Sequence, residues 1–410
     1  MSRRSGGVRR VEEPTSVPRT DDAWWRNERV ALTVLAGLVS FAIYEASREP
    51  GSSIYDQYVR LAYSLLHGKV YILHPKPWLE LVHYKHHFYS HQGVLPGILL
   101  MPFVAVFGEG FNLKHFAALL GGGIGAVAWS VATRIGLTGR DRLLGWAFPV
   151  VGTTLWYEAK TGSTWGVAAL SSAFFLFCAL NEYFGRRRLP LVGLFVGLAA
   201  LSRPPAVFAL IGFVVAVVLS PEARANIVGG AKKGLQLAAG VIGPVVVYVL
   251  YNELRFRTLF DKSQQLHYLH DAYRLQVAPG QFALAHLPYN LYSWFLLPPS
   301  FQNNFPYIHL TILGTALPLT SPAFVTAFGA RRERWLWLAA VCAVGPAAFH
   351  YANGFSQFGM RYLLDAVPFL SMLIFLALKD ARAYGYRVLL AASIAINAYG
   401  VAYTTVFGLK

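Results

Sequence analysis

The chain has 410 residues, of which 55% are hydrophobic and only 14% charged, where an ordinary soluble domain carries about 25% charged residues. With its long apolar runs, that deficit excludes a soluble enzyme and points to an all-α polytopic membrane protein. The net charge of +16 is spread as short clusters between the apolar runs, as topology signals are, which argues against nucleic acid and leaves membrane lipid as a partner.

In chain order, residues 1–28 read as a basic, disordered cytoplasmic tail. The run "VALTVLAGLVSFAIYEA" lacks a small-residue cleavage site and reads as an uncleaved anchor. The stretch "GSSIYDQYVRLAYSLLHGKVYI" (51–72) then puts Tyr58, Leu61, Ala62, Leu65 and Leu66 at helical spacing on one face, with Asp56 at its start. A carboxylate there suits a helix N-cap; it equally suits a general base beside a membrane. Next, "HPKPWLELVHYKHHFYSHQGVLPG" crowds His83, His86, His87 and His91 with Glu80, Lys85 and Tyr89. That composition fits a polar interfacial loop with aromatic anchors, a phosphate site, or a metal site. His83 and His87 have the i, i+4 spacing of two ligands on one helical face, so a divalent metal is one option.

Twelve apolar segments approach spanning length: 29–46, 93–108, 112–133, 143–157, 163–184, 189–202, 204–219, 234–252, 308–329, 335–350, 363–378 and 387–406. Five short connections are basic: Arg134/Arg140/Arg142, Arg186/Arg187/Arg188, Arg224/Lys232/Lys233, Arg331/Arg332/Arg334 and Lys379/Arg382/Arg387. All five fall on the side of the N-terminal tail only if 93–108 re-enters or lies in the interface, and Pro96 and Pro102 make it a poor span anyway. The expectation is eleven spans, extracytoplasmic juxtamembrane helices, a cytoplasmic N-terminus, and large outer segments at 45–111 and 252–307. Residues 29–410 then form one transmembrane domain. Cys178 and Cys342 fall inside apolar runs and read as packing residues.

The outer connections hold further candidates: Glu158, Arg203 in "LSRPP", Tyr251, Asn252, Arg255 and His267 after the 234–252 run, and Arg361 in "FGMRYLLDA". Ionisable groups near membrane depth are functional candidates by default. No GxxxxGK[ST], HExxH, GxSxG or EF-hand pattern occurs.

The segment "SIYDQYVRLAYSLLHGKVYI", then "FYSHQGVLPGILLMPFVAVFG", "GLAALSRPPAVFAL", "YNELRFRTLFD" and "QFGMRYLLDAVPFL", in this order, resembles the GT-C superfamily of integral membrane glycosyltransferases, similar to its protein mannosyltransferase and aminoarabinose transferase members. The resemblance covers most of residues 29–380. It implies an inverting transfer of a sugar from a polyprenyl-phosphate donor to a glycan, lipid or protein hydroxyl, at the outer face of a bacterial plasma membrane. Asp56 would be the catalytic base, and Arg203, Arg361, Lys85 and Arg255 would face the donor phosphate. His86, Tyr89, His91, Glu158, Tyr251, Asn252 and His267 would complete the site. Two rival readings are a transporter or flippase of a lipid-linked sugar, and an outer-face ligase that does not use the aspartate.

Overall fold

The computed structural model describes residues 28–220, 225–270 and 280–409. The tail before Glu28 and Arg224 of the third basic cluster lie outside them. Six stretches are long and apolar enough to cross a membrane: α1 (Glu28–Ala46), α4 (Leu113–Arg134), α7 (Thr164–Tyr183), α10 (Ile227–Phe256), the segment Arg361–Lys379 and α16 (Tyr386–Val406). Ser163 and Asn226 cap α7 and α10, their side-chain oxygens accepting the amides of Gly166 and Gly229. At 30 residues, α10 is about 45 Å long and outruns a bilayer core of about 30 Å. Side chains such as Leu38 on α1 and Ile242 and Leu250 on α10 are more than half exposed, as lipid-facing residues are. The chain is an integral membrane protein.

Shorter apolar helices complete the bundle. These are α8 (Leu189–Ser202), α9 (Ala209–Val218) after a 3₁₀ turn at Pro204–Phe208, α14 (Trp335–Ala348), and α15 (Val367–Lys379) after the 3₁₀ turn Arg361–Ala366. The basic connections collect at one end. Arg332 lies 3.6 Å from Asp380, the Lys379 ammonium flanks Gly136, and the Tyr386 hydroxyl donates to the Leu144 carbonyl. α8 and α10 pack side by side in parallel, which puts Lys232 and Lys233 at that end as well. The opposite end gathers the expected outer segments: Lys160 pairs with Glu49, Thr164 bonds Tyr55, and Arg255 bonds Ser90.

At that second end lie α2 (Gln57–Leu66), a hairpin of β1 (Leu81–Tyr84) and β2 (His87–Ser90), and α3 (Leu95–Phe107). α2 buries Tyr58, Val59, Leu61 and Ala62, while Leu66 falls off the expected face and is exposed. Both ends of α3 stay there. It starts where Gly93 touches Leu201 and Ser202, and just beyond its C-terminus Glu109 meets His74 and Arg60. Segment 93–108 therefore does not cross.

Two expected spans are not single helices. Segment 143–157 is divided between α5 (Gly139–Val151) and α6 (Leu155–Thr161), broken at Gly152–Thr154 just after Pro149. Residues 280–329 contain α11's successors α12 (Leu287–Phe295), the short pair β3 (Ser300–Phe301) and β4 (Ile308–His309), and α13 (Leu317–Thr320), α11 itself being Ser263–His270. Segment 308–329 thus crosses as β4, α13 and a 3₁₀ stretch, because Pro318 and Pro322 deny it continuous helical bonding. It runs antiparallel to α16, which supplies the missing partners: Asn397 donates to the Thr320 carbonyl at 2.8 Å, and the Ala323 amide donates to Ser393 at 2.9 Å.

Candidate active site

Asp56 occupies the N-cap position of α2, its carbonyl accepting the Val59 amide at 2.9 Å, but its side chain caps nothing. Both carboxylate oxygens accept instead from Arg60, one turn on, with Nε to Oδ1 at 3.0 Å and Nη2 to Oδ2 at 2.9 Å. Arg60 is held in turn by the His74 carbonyl at 2.9 Å and lies 3.6 Å from Glu109. The two-pronged pair fixes the direction of the carboxylate and leaves about two of its roughly four lone-pair sites for a substrate hydroxyl.

Glu158 on α6 is 2% exposed. A Cβ on Gly166 would come within 2.4 Å of its Oε2, so the glycine lets the carboxylate lie against the first turn of α7, whose dipole favours it. Burial pushes the Glu158 pKa above the ordinary carboxylate range, and Arg361 and Arg203 pull it part of the way back.

Prolines 204 and 205 stop α8, and Arg203 leaves it in an extended conformation. Its guanidinium meets Asp365 Oδ2 at 3.1 Å and donates to the Arg361 carbonyl at 3.4 Å. Arg361 is different. It is 6% exposed and its guanidinium lies 5.4 Å over the Trp165 ring, yet among the described residues it has no salt bridge to any carboxylate. Trp165 joins the groups: its ring packs 4.7 Å from Tyr55, the residue before Asp56, and its Nε1 donates to Glu80 Oε2 at 3.0 Å. The Tyr58 hydroxyl, in the field of Arg203, is buried without a hydrogen-bond partner among the described residues.

Arg255, by contrast, is held through both terminal nitrogens, while its buried Nε has no partner among the described residues. It donates to the Ser90 carbonyl at 2.8 Å, to Asn252 at 2.7 Å and to Asp261 at 3.2 Å, and stacks 3.9 Å from the Tyr251 ring. A narrow crevice beside it is lined by Gly93, Leu201, Pro204 and Tyr251. Gly93 is required there, since a Cβ would sit 2.2 Å from the Leu201 carbonyl oxygen. His91 is buried and its ring stacks on His267 at 4.4 Å, nearly parallel. Burial, and then His267, lower its pKa to about 3. Tyr89 is buried against Phe256.

The β-hairpin overturns one expectation. His83 and His87 are not on a helix: they lie on opposite strands, paired with Phe88 and Tyr84, and so point to opposite faces. The i, i+4 ligand pair does not form. Lys85 and His86 make the exposed turn, Lys85 with φ at 54° and its ammonium 5.5 Å over Tyr84, and it touches neither Arg203 nor Arg361 among the described residues. Sequence inspection missed Arg60, Asp365 and Trp165. The Asp56–Arg60 spacing of one helical turn was the available signal for the first.

No family model matches the chain, and no curated protein matches it in sequence. Solved structures do. ArnT from Cupriavidus metallidurans in the apo state is 13% identical, with 93% of this chain covering 77% of that one at a TM-score of 0.50. The same protein bound to undecaprenyl phosphate is 16% identical, with 92% of this chain covering 65% of that one, also at 0.50. The chain has the GT-C fold. The oligosaccharyltransferase AglB from Archaeoglobus fulgidus, in complex with an inhibitory peptide and a dolichol-phosphate, is 14% identical at a TM-score of 0.45, with 94% of this chain covering 55% of that one. The chain thus spans about half the length of that archaeal protein.

Proposed function

We propose that the protein is an inverting glycosyltransferase that moves a sugar from a polyprenyl-phosphate donor to an acceptor hydroxyl at the extracytoplasmic face, its N-terminus being cytoplasmic. The observation that carries this is a buried guanidinium, Arg361, with no salt bridge among the described residues, packed on Trp165, whose ring meets Tyr55, the neighbour of Asp56 in the chain. A buried cation without a counter-charge is expensive, and an incoming phosphate would neutralise it. That one of the similar structures holds undecaprenyl phosphate supports the same donor class.

Asp56 takes the proton of the acceptor hydroxyl as the oxygen bonds to the anomeric carbon. The bond from that carbon to the phosphate oxygen breaks, and the electron pair leaves on the polyprenyl phosphate. Arg361, with Arg203 beside it, stabilises the charge gathering there. Arg60 orients Asp56.

The test uses purified protein in nanodiscs with a panel of radiolabelled undecaprenyl-phosphate hexoses and pentoses. Asp56→Asn should lose at least a hundredfold in transfer, of the order expected for general-base removal, while donor binding persists. Turnover near wild type in that variant refutes the base assignment and favours a ligase that does not use Asp56. In sealed proteoliposomes supplied with a candidate acceptor, labelled lipid that crosses the bilayer with no glycosylated product refutes transfer altogether and favours a flippase.

A further inference from the structure

We infer that Glu80, His91 and His267 form a binding site for a divalent transition-metal ion of the zinc class. Their ligand atoms all lie within 4.8 Å of one another, although they come from three separate places in the chain. The fold brings them together in two steps. The hairpin closes on the pair Leu81 and Ser90, so Glu80 and His91 are the next residues beyond it and face each other across its open end. α11 then docks on the His91 carbonyl, which accepts from Gln264 Nε2 at 3.0 Å and Ser263 Oγ at 3.4 Å. One helical turn after Ser263, His267 lands on the His91 ring.

The hydrogen bonds around His91 assign its tautomer. Nδ1 lies 2.9 Å from the Glu80 carbonyl oxygen, which can only accept, so the proton is on Nδ1. The Nε2 lone pair then accepts from the Gln92 amide at 2.8 Å, a neutral donor that an ion can displace. It lies 3.8 Å from Glu80 Oε2, so two electron-pair donors point into the same small space, as ligands of one cation do. An imidazole that donates its other ring nitrogen to a backbone carbonyl is the usual arrangement of a metal ligand, and the Trp165 N–H on Glu80 Oε2 orients the carboxylate in the same manner. Zinc at 2.0–2.1 Å from each ligand in tetrahedral geometry needs ligand atoms about 3.3 Å apart, so rotation of the half-exposed Glu80 and His267 side chains has to close about 1.5 Å. The ion would displace the Gln92 amide, retain one open position, and fasten α11 to the first outer segment. None of this depends on glycosyl transfer.

The probe is zinc chloride alone. Full-length protein in phosphatidylcholine nanodiscs is freed of metal, dialysed against zinc in a non-chelating buffer, and its bound zinc counted by mass spectrometry. The expected result is one tight equivalent, weakened at least tenfold by Glu80→Gln and by His267→Ala. His83→Ala with His87→Ala should leave it unchanged, since those side chains diverge on the hairpin. Zinc should also slow hydrogen exchange in residues 263–270 of the wild type but not of His267→Ala. Melting without zinc checks that each variant is folded, and an unfolded one is replaced by His267→Gln. Binding that survives both Glu80→Gln and the His267 variant, or that disappears with the His83 and His87 pair, overturns the site, as does a wild type that takes up no tight zinc.

Discussion

Two buried arginines at the same site should respond in opposite ways to the same substitution. Arg203 is paired with Asp365, which is 1% exposed, so Arg203→Met strands a buried carboxylate; breaking such a pair costs about 3–5 kcal/mol. Arg361 has no salt bridge among the described residues and meets Glu158 only through its field, so Arg361→Met breaks no close pair. Its melting temperature should equal or exceed the wild type's. Glu158 loses one of the two cations that hold its pKa down and stays protonated to a higher pH. Donor binding reverses the order of damage. Hydrogen bonds from a guanidinium to a charged oxygen contribute about 1.5–3 kcal/mol, so Arg361→Met should weaken polyprenyl phosphate about 10- to 150-fold. The assay pairs thermal melting with binding of labelled undecaprenyl phosphate in nanodiscs. An Arg361→Met protein that melts as low as Arg203→Met, or that binds the lipid phosphate with wild-type affinity, shows Arg361 to be structural, and the site as described here fails.

Three further outcomes follow from particular contacts. The folded state keeps Glu158 protonated to a higher pH than the unfolded chain does, so this group adds stability that is complete below its ordinary value of 4.5 and is lost as pH rises through the raised value. Glu158→Gln should flatten the decline in melting temperature above pH 4.5; wild-type and variant curves that stay parallel count against a raised pKa. Lys160, fully buried, donates to Glu49 and Thr405 at 2.6 Å and to the Val401 carbonyl at 3.0 Å, which ties α6 to the ends of α1 and α16. Glu49 is a third exposed and can recover water, so Lys160→Met should cost about 1–3 kcal/mol rather than the full penalty of a sealed pair, seen as a lower denaturant midpoint. Asn397→Leu removes the donor to the Thr320 carbonyl in the broken span and should cost about 1–3 kcal/mol; an unchanged melt would mean that carbonyl has another partner.

The bundle was largely legible because apolar run length and the alternation of basic connections are direct physical consequences of the bilayer. Parity alone indicated that 93–108 turns back, and the contacts at both ends of α3 agree. The break in 308–329 was visible as Pro318 and Pro322, but hydropathy averages over the prolines and returns one smooth span. His83 and His87 show the opposite failure: four residues apart reads as a helical face only if the segment is helical, and in a stretch this short and this aromatic a tight hairpin has the same composition. Asp56 and Glu158 could be named from position. What lies beside them could not, because Trp165 under Arg361 and Asp365 on Arg203 are tertiary facts with no local periodicity.

The charge balance of the site bears on when a phosphate can enter it. Arg203 and Asp365 cancel. The remainder is Arg361 with Glu158, which together carry +1 when Glu158 is protonated and nothing when it is ionised. A polyprenyl-phosphate sugar is a phosphodiester with one negative charge, so it matches the protonated state and leaves the buried cluster neutral. After transfer, the departing monoester carries about −1.5 to −2 near pH 7. In the proposed reaction the extra charge develops during bond breaking beside a buried guanidinium, and that is the condition under which a field favours the transition state over the bound donor.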